Sequence, residues 1–374
     1  MNKKLLLSLT FGIITSAVSV FAAGSNNYSD SAYYHSALNK SGYELKTALH
    51  DIIKTHKRLA YGKADEVGDN VWYRYRITDQ NPDGSVRDIY TTPGTYHFGH
   101  YGEDSAYSGY QCGNAGNDEG GACSSKKSCR YCYSREHSFP KSWWDDQGEN
   151  NTTDSMYTDV NHLIPADQYI NSAYHSNYPL GEVDSASAKK TSILGYRYGP
   201  NKLAGYSGTV FEPADKYKGY FARMYFYMVT RYESKVAGWI YKYDTNQITN
   251  PSGTQTTKDI AKRDTNRPNL ETTPTLNGTS DQCFTDWTKD MLVRWHNEHP
   301  VQDWERARND SVYKVQGNRN PFTDHPELVN KIWGNDDTPF GETPSLSRYS
   351  IKYIYKKNDS IIEEKLISIP EKAK

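Results

Sequence analysis

The sequence predicts an α+β fold, mixed and largely helical, on three observations. Apolar residues recur at helical spacing in several stretches, most plainly 213–236, where Tyr220, Phe221, Met224, Tyr225, Tyr227, Met228 and Tyr232 make one broad surface. Two stretches, 71–77 and 349–355, alternate at strand period instead. Between them, residues 132–171 read as strand, polar loop, strand and helix, and the rest of the chain is organised around that unit.

In chain order, residues 1–22 have the pattern of a secretory signal. Lys3 and Lys4 precede an apolar run, and Val20-Phe21-Ala22 suits a small-residue cleavage site. No later stretch reaches the roughly 18 apolar residues of a membrane helix. The mature chain is therefore expected to be exported to the periplasm or beyond, soluble, monomeric and without a membrane partner. Residues 23–340 read as the main domain and 341–374 as a β-rich tail. Within the main domain, 32–61 is expected as a helix with Leu45, Leu49, Ile52 and Ile53 on its dry face and Lys46, Lys54 and Lys57 on the other. The alternating run 71–77, the turn Asn81-Pro82-Asp83-Gly84 and the return 86–90 suggest a hairpin. Residues 91–128, rich in Gly, Ser, Asn and Asp, suggest a long ordered loop. Short strands are expected within 185–213, the best at 209–213, and 246–280 is expected as a turn-rich surface excursion. Helices are expected at 213–236, 284–298, 303–315 and 327–333, and a closing hairpin at 349–369.

The chain has 374 residues, 36% hydrophobic and 24% charged, which suits a globular chain of one large domain or two modest ones. Its 32 tyrosines supply packing surface with polar tips, and such rings also stack on bases. The net charge is −1, and loss of Lys3 and Lys4 with the leader would leave about −3. That excludes the strongly basic footprint of a sequence-specific DNA binder and leaves room for a local basic groove. Cys112, Cys123, Cys129 and Cys132 cluster ahead of the central unit, with Cys283 far away. In an exported chain two disulfides, in any of three pairings, are expected rather than zinc, since Cys129 and Cys132 alone have knuckle spacing. Cys283 is either a buried free thiol or the partner of a cluster member.

In the central unit, Glu136 and His137 end the first strand and Asn171 lies in the helix. Pro165 suits the first helical position, and Asp167 the first turn, where it meets the positive end of the dipole. A carboxylate and an amide oxygen suit a hard divalent cation that keeps open positions for water and a phosphate oxygen. A neutral imidazole nearby can take a proton from an attacking water. His137 projects to the opposite side of an ideal strand from Glu136, and an irregular strand end before Pro140 is what would redirect it. The set suits phosphodiester hydrolysis.

Arg135-Glu136-His137-Ser138-Phe139-Pro140-Lys141-Ser142-Trp143 resembles the active-site strand of the bacterial endonuclease I family. A later block resembles it too: Trp295-His296, Pro300-Val301, 305–309, 316–322 and 324–327. The resemblance extends more weakly from about residue 33 to 334. It implies an exported, largely non-specific nuclease, with a ββα-metal (His-Me finger) core embedded in a mixed, largely helical domain. It further implies cleavage of double- and single-stranded DNA, with RNA a further substrate, leaving 5′-phosphates. Glu136 and Asn171 would ligate one Mg²⁺, for which Mn²⁺ or Ca²⁺ could substitute in binding, and His137 would be the general base. The pattern Asp159-x-x-His162-x-x-Pro165 matches as well, giving His162 a supporting place in catalysis and Asp159 one beside the substrate. Arg135, His175 and Arg319 are further candidates for substrate contact. His175 stands where relatives carry an arginine, before Ser176-Asn177-Tyr178-Pro179, and no arginine occurs from 138 to 174. A transition-state arginine is then expected from the 306–319 block, although the turn-like 318–321 suits a structural role equally.

The competing class is an exported nucleic-acid or glycan-binding protein on an inactive nuclease scaffold. The intact Glu136, His137 and Asn171 argue against it. A zinc peptidase is excluded by the absence of His-Glu-x-x-His.

Overall fold

The computed structural model describes residues 30–61, 68–98, 110–111, 132–144, 155–192, 194–244, 262–342, 350–357 and 360–368. The expected leader, Cys112, Cys123, Cys129, the Cys132 side chain and the whole of the polar loop 145–154 lie outside the described residues, and with them the expected disulfides.

The chain begins with α1 (Asp30–Tyr33) and α2 (Gly42–Ile53). The continuous helix expected over 32–61 is broken where Asn39 takes a left-handed backbone, φ 62°. On α2, Leu45, Ala48, Leu49 and Ile53 are buried. Lys46 is buried as well, paired with Glu233 at 2.7 Å and donating to Ser280 O at 2.6 Å, so helical spacing alone misplaced it on the wet face.

The expected strand at 71–77 is a helix, α3 (Val71–Thr78). Asn70 caps it by accepting the Tyr73 N–H at 3.0 Å. Val71, Trp72, Tyr75 and Thr78 are its buried residues, a helical spacing, while Tyr73 and Ile77 of the apparent alternation are exposed. The turn survives, with Gly84 N donating to Asn81 O, but only isolated bridges replace the hairpin.

The central unit is a three-stranded sheet in the order β1 (Tyr110–Gln111), β2 (Cys132–His137), β3 (Leu163–Asp167). β1 runs parallel to β2, and β3 antiparallel to it. Pro165 lies inside β3, not at a helix start. Among the described residues β3 pairs only with β2, and an edge strand tolerates a missing N–H. The helix follows as α4 (Gln168–Ile170), capped by Asp167, which accepts the Ile170 N–H at 2.8 Å. It continues as one π-helical turn, Asn171–His175.

A second sheet follows, β4 (Lys190–Thr191), β5 (Arg197–Pro200) and β6 (Thr209–Glu212), antiparallel throughout. Every residue of α5 (Lys218–Arg231) is buried, and α6 (Glu233–Val236) extends it. The expected surface excursion contains a strand the turn-rich composition concealed: β7 (Tyr241–Asp244) pairs antiparallel with β8 (Lys262–Pro268). Four helices close the main body: α7 (Asp286–Glu298), α8 (Asp303–Gln316), α9 (Pro321–Asp324) and α10 (Glu327–Ile332). α8 is delimited by Glu305, which accepts the Gln302 N–H, and by Gly317 at φ 87°. The hairpin β9 (Ser350–Lys357) and β10 (Ser360–Ser368) forms as the alternation suggested. No helix among the described residues is long and apolar enough to cross a membrane.

Two cores bracket the β2–β3 hairpin. The larger surrounds α5 and takes in Ile164 and Ala166 of β3. The smaller gathers Val71, Trp72 and Tyr75 of α3, Val312 and Val315 of α8, and Tyr133, Val160 and Leu163 of the hairpin region. With both faces packed, a one-residue slip in register would invert the two sets of side chains.

Candidate active site

His137 is paired with Leu163 and Glu136 with Ile164. The ladder stays regular to that point, and Ser138 continues it by placing both N and Oγ on His162 O, at 3.1 and 2.8 Å. Strand alternation thus sends Glu136 toward the side of Ser134, Ile164 and Ala166, and His137 toward that of Arg135 and Leu163. Pro140 does not redirect His137; the candidate groups straddle the end of β2.

His137 Nε2 lies 3.0 Å from the Tyr157 carbonyl oxygen. A carbonyl only accepts, so Nε2 carries the proton and Nδ1 the lone pair. Nδ1 has no hydrogen-bond partner among the described residues and is not one of the buried orphan atoms. Tyr61 stacks on the imidazole at 6.4 Å, and Tyr157, His162 and Trp144 lie at 5.1, 5.5 and 5.7 Å between ring centroids. Burial, then the neighbouring His162, hold this ring well below the usual histidine range, so it is neutral at pH 7.

His162 repeats the arrangement one layer deeper. Its Nε2 is 2.8 Å from Met156 O, and its Nδ1 is buried without a partner. The turn Ser155–Thr158 therefore fixes both imidazoles through consecutive carbonyls. Beside it, fully buried Asp159 receives Tyr227 Oη at 2.7 Å, Tyr232 Oη at 2.9 Å, Gln316 Nε2 at 2.8 Å and the Asn161 N–H at 3.0 Å. It is a hub of the interior and presents nothing to solvent.

Glu136 is 2% exposed, and its Oε1 has no hydrogen-bond donor. His175 Nδ1 lies 2.5 Å away but outside hydrogen-bond geometry. The His175 ring is fully buried, stacked on Phe211 at 4.5 Å, with Tyr90 Oη 3.2 Å from Nδ1. Asn171 opens the π turn and donates through Nδ2 to Ser134 Oγ at 3.0 Å and Arg135 O at 3.5 Å. That leaves Asn171 Oδ1 without a partner among the described residues, and Ser134 shares the Glu136 side of the strand. One oxygen of a buried carboxylate and an amide oxygen, each lacking a donor among the described residues, fit a hard divalent cation. Among the described residues no group of three or more His, Cys, Asp or Glu side chains could hold a metal, so a closed zinc-type site is not formed there.

The sequence profile of endonuclease I matches residues 41–327, which span this hairpin, α5 and α8. The chain belongs to the endonuclease I family. It is accordingly a nuclease, a hydrolase. An extracellular ribonuclease of Bacillus subtilis (strain 168) is 30% identical over 322 residues, 85% of this chain and 84% of the relative. An extracellular ribonuclease of Bacillus amyloliquefaciens is 28% identical over 302 residues, 80% of this chain and 78% of the relative.

Two other candidates in this endonuclease I chain are held by internal partners. Arg319, 2% exposed, meets Asp324 through Nε and Nη2 at 2.6 and 2.7 Å and Asp310 at 2.7 Å. Arg135 lies on the His137 side of β2, its guanidinium 3.2 Å from the Tyr61 ring centroid and 4.5 Å from that of Trp72, with Nη1 on Tyr61 O. Sequence reasoning missed Tyr61, which touches both His137 and Arg135, and the Tyr157 carbonyl that sets the His137 tautomer. A carbonyl has no sequence signal, because every residue carries one. It also missed Gln316, whose side chain reaches Asp159 only once α8 is docked.

Proposed function

We propose that the chain is an exported, metal-dependent endonuclease with a ββα-metal centre, hydrolysing phosphodiester bonds of DNA and RNA with little sequence preference. The observation that carries this reading is the tautomer of His137: neutral, its proton tied to the Tyr157 carbonyl, its lone pair on Nδ1. A ring in that state is a general base at neutral pH. Water oxygen bonds to phosphorus, its proton passes to Nδ1, and the P–O3′ bond breaks to leave a 5′-phosphate. Glu136 and Asn171 would hold one divalent cation, Mg²⁺ by the hardness of the two oxygens, which when bound offsets charge on the phosphate and the leaving oxygen. His175 lies against Glu136, with Tyr90 Oη on its Nδ1. The names of the two Bacillus relatives favour RNA as a substrate beside DNA and favour secretion, consistent with the leader at 1–22.

The test is cleavage of plasmid DNA and of a structured RNA by the oxidised mature chain, with Mg²⁺, with EDTA, and with His137→Ala or Glu136→Gln. Metal-dependent cleavage of both substrates is expected, reduced on the order of 10²–10⁴-fold by His137→Ala. A folded wild type that retards DNA on a gel without cutting it would instead establish the binding-protein class.

A further inference from the structure

A nucleic-acid strand is held by cations whose charge is not already matched inside the protein. The 306–319 block, the expected source of an arginine for the phosphate, is engaged internally instead. Arg306 donates to Thr323 O at 2.8 Å. Arg308 is bidentate on Asp79, and Arg319 is held by Asp310 and Asp324.

The second sheet carries a different arrangement beside the candidate metal site. Lys190 of β4 is the cross-strand partner of Tyr198 on β5, and Tyr198 is in turn the partner of Phe211 on β6. Partners in an antiparallel ladder point to one face. Phe211 stacks on His175, so this face meets the π turn that opens at Asn171. Lys190 Nζ donates to Ala173 O at 3.4 Å, two residues past Asn171. Tyr178 follows the π turn and places its Oη 3.0 Å from Tyr198 Oη, with ring centroids 4.8 Å apart. Lys189 Nζ stands 5.3 Å from the Tyr198 ring centroid.

Tyr178, Tyr198 and Lys190 are half-buried and Lys189 is exposed. Each ammonium bonds a neutral oxygen, Thr209 Oγ1 at 3.3 Å for Lys189 and the Ala173 carbonyl for Lys190. Neither lysine forms an ion pair among the described residues. Two charges unmatched by a carboxylate, set beside two partly exposed rings, suit one repeating unit of a strand, its phosphate and its base. A base inside a duplex has both faces covered by its neighbours, so the rings suit an unpaired base.

We propose that Lys189, Lys190, Tyr178 and Tyr198 form a subsite for a single-stranded segment flanking the scissile phosphate. The ammoniums take a backbone phosphate and the rings take a splayed base. The inference rests on the nucleic-acid hydrolysis proposed above and adds to it a hold on unpaired strands.

Fluorescence anisotropy of a labelled single-stranded oligonucleotide and of its duplex, on the mature chain carrying His137→Ala in EDTA, tests this. Added to that parent, Tyr198→Leu is expected to weaken single-strand binding by about tenfold and duplex binding by less than about threefold. Tyr198→Phe keeps the ring and is expected to bind both as the parent does. Lys189→Gln with Lys190→Gln is expected to weaken single-strand binding and to make its salt slope shallower by roughly one. Lys54→Gln, on the exposed end of α2, controls for the loss of a positive charge elsewhere. Single-strand affinity within about twofold of the parent in both Tyr198→Leu and the lysine pair would place the strand elsewhere and overturn the subsite. Metal-dependent cleavage by the wild type would then leave the nuclease reading standing. Equal losses for single strand and duplex in Tyr198→Leu, or an equal loss in Tyr198→Phe, would make the ring structural and overturn the proposal as well. If Tyr198→Leu lowers the melting temperature, the lysine pair decides, and an unchanged salt slope overturns the proposal. A parent that binds neither strand nor duplex, from a wild type that cuts neither, would remove the reading and the inference together.

Discussion

Gln316, at the end of α8, donates to Asp159 Oδ1 at 2.8 Å. With its own Oε1 it accepts the Val160 N–H at 3.0 Å. Arg308 adds a bond to Val160 O, and Asn318 accepts from Asn161 Nδ2. The second block of family-like sequence therefore grips, from behind, the turn that joins Tyr157 to His162. Its task is to keep the two carbonyls under the two imidazoles.

Replacing Gln316 by leucine would leave Asp159 Oδ1 one donor short and the buried Val160 N–H with none. Each unmet buried group costs about 1–3 kcal/mol, so Gln316→Leu should lower unfolding stability by roughly 2–4 kcal/mol in urea titration. Where the variant remains folded, kcat should fall more than KM rises. A variant as stable and active as wild type would show that water or rearrangement fills the place of this amide.

Asp159 also shapes stability against acid. Burial pushes its carboxyl up, but His56, His162 and Gln316 together bring it down to about 2. The unfolded value is about 3.9. A folded pKa below the unfolded one contributes stability above the unfolded value, lost as pH falls through the folded one. This group should account for on the order of 2 kcal/mol, lost between about pH 5 and pH 2. Guanidinium denaturation across that window should show a shallower acid slope in Asp159→Asn than in wild type; equal slopes would remove Asp159 as the source.

The His137 ring stays neutral well below the ordinary histidine range. Its folded pKa is lowered, so acidification protonates the ring only after the pH has dropped far past about 6.5. With metal saturating, kcat/KM should then be level between about pH 8 and pH 6 on the histidine account. A sigmoidal fall centred near about 6.5 would show a ring that titrates as if in water.

Arg308 and Asp79 form a buried bidentate pair at 2.7 and 3.2 Å, 5% and 2% exposed. Removing one partner strands the other charge, so Arg308→Met should cost about 3–5 kcal/mol. Arg308→Met with Asp79→Leu should recover a large part of that loss in the same denaturation experiment. Equal losses in the single and double variants would mean that the Arg308 bond to Val160 O carries the effect.

How much of this was legible beforehand depended on the kind of signal. α5, α7 and α8 were visible because each carries a broad apolar face at helical spacing, and the closing hairpin because its alternation is bounded by a turn. Glu136, His137 and Asn171 stood out as a spaced set, and the structure places Glu136 and His137 on consecutive residues at the end of β2, with Asn171 bonded back to Ser134 of that strand. The helix at 71–78 was misread because Trp72, Tyr73 and Tyr75 are aromatic on both dry and wet sides, so hydropathy alternated where burial did not. Asn70 was the overlooked signal. Pro165 was misplaced because a helix start and an edge strand tolerate the same missing N–H. The roles of Arg308, Arg319 and Lys46 were hidden for a common reason: their partners, Asp79, Asp310 and Asp324, and Glu233, become neighbours only by tertiary packing.

The π turn at Asn171–His175 sets a rule for insertions and deletions. An α-helix turns about 100° per residue, and a π turn accommodates one residue more than an α turn. Asn171 at its start is tied to Ser134, and His175 at its end faces Glu136. Loss of a single residue between them would leave Asn171 in place and bring a different side chain round to Glu136. Homologous chains that differ by one residue here are thus not interchangeable spacers, and a chimera joined within this turn would inherit a mismatched site even with every named residue present.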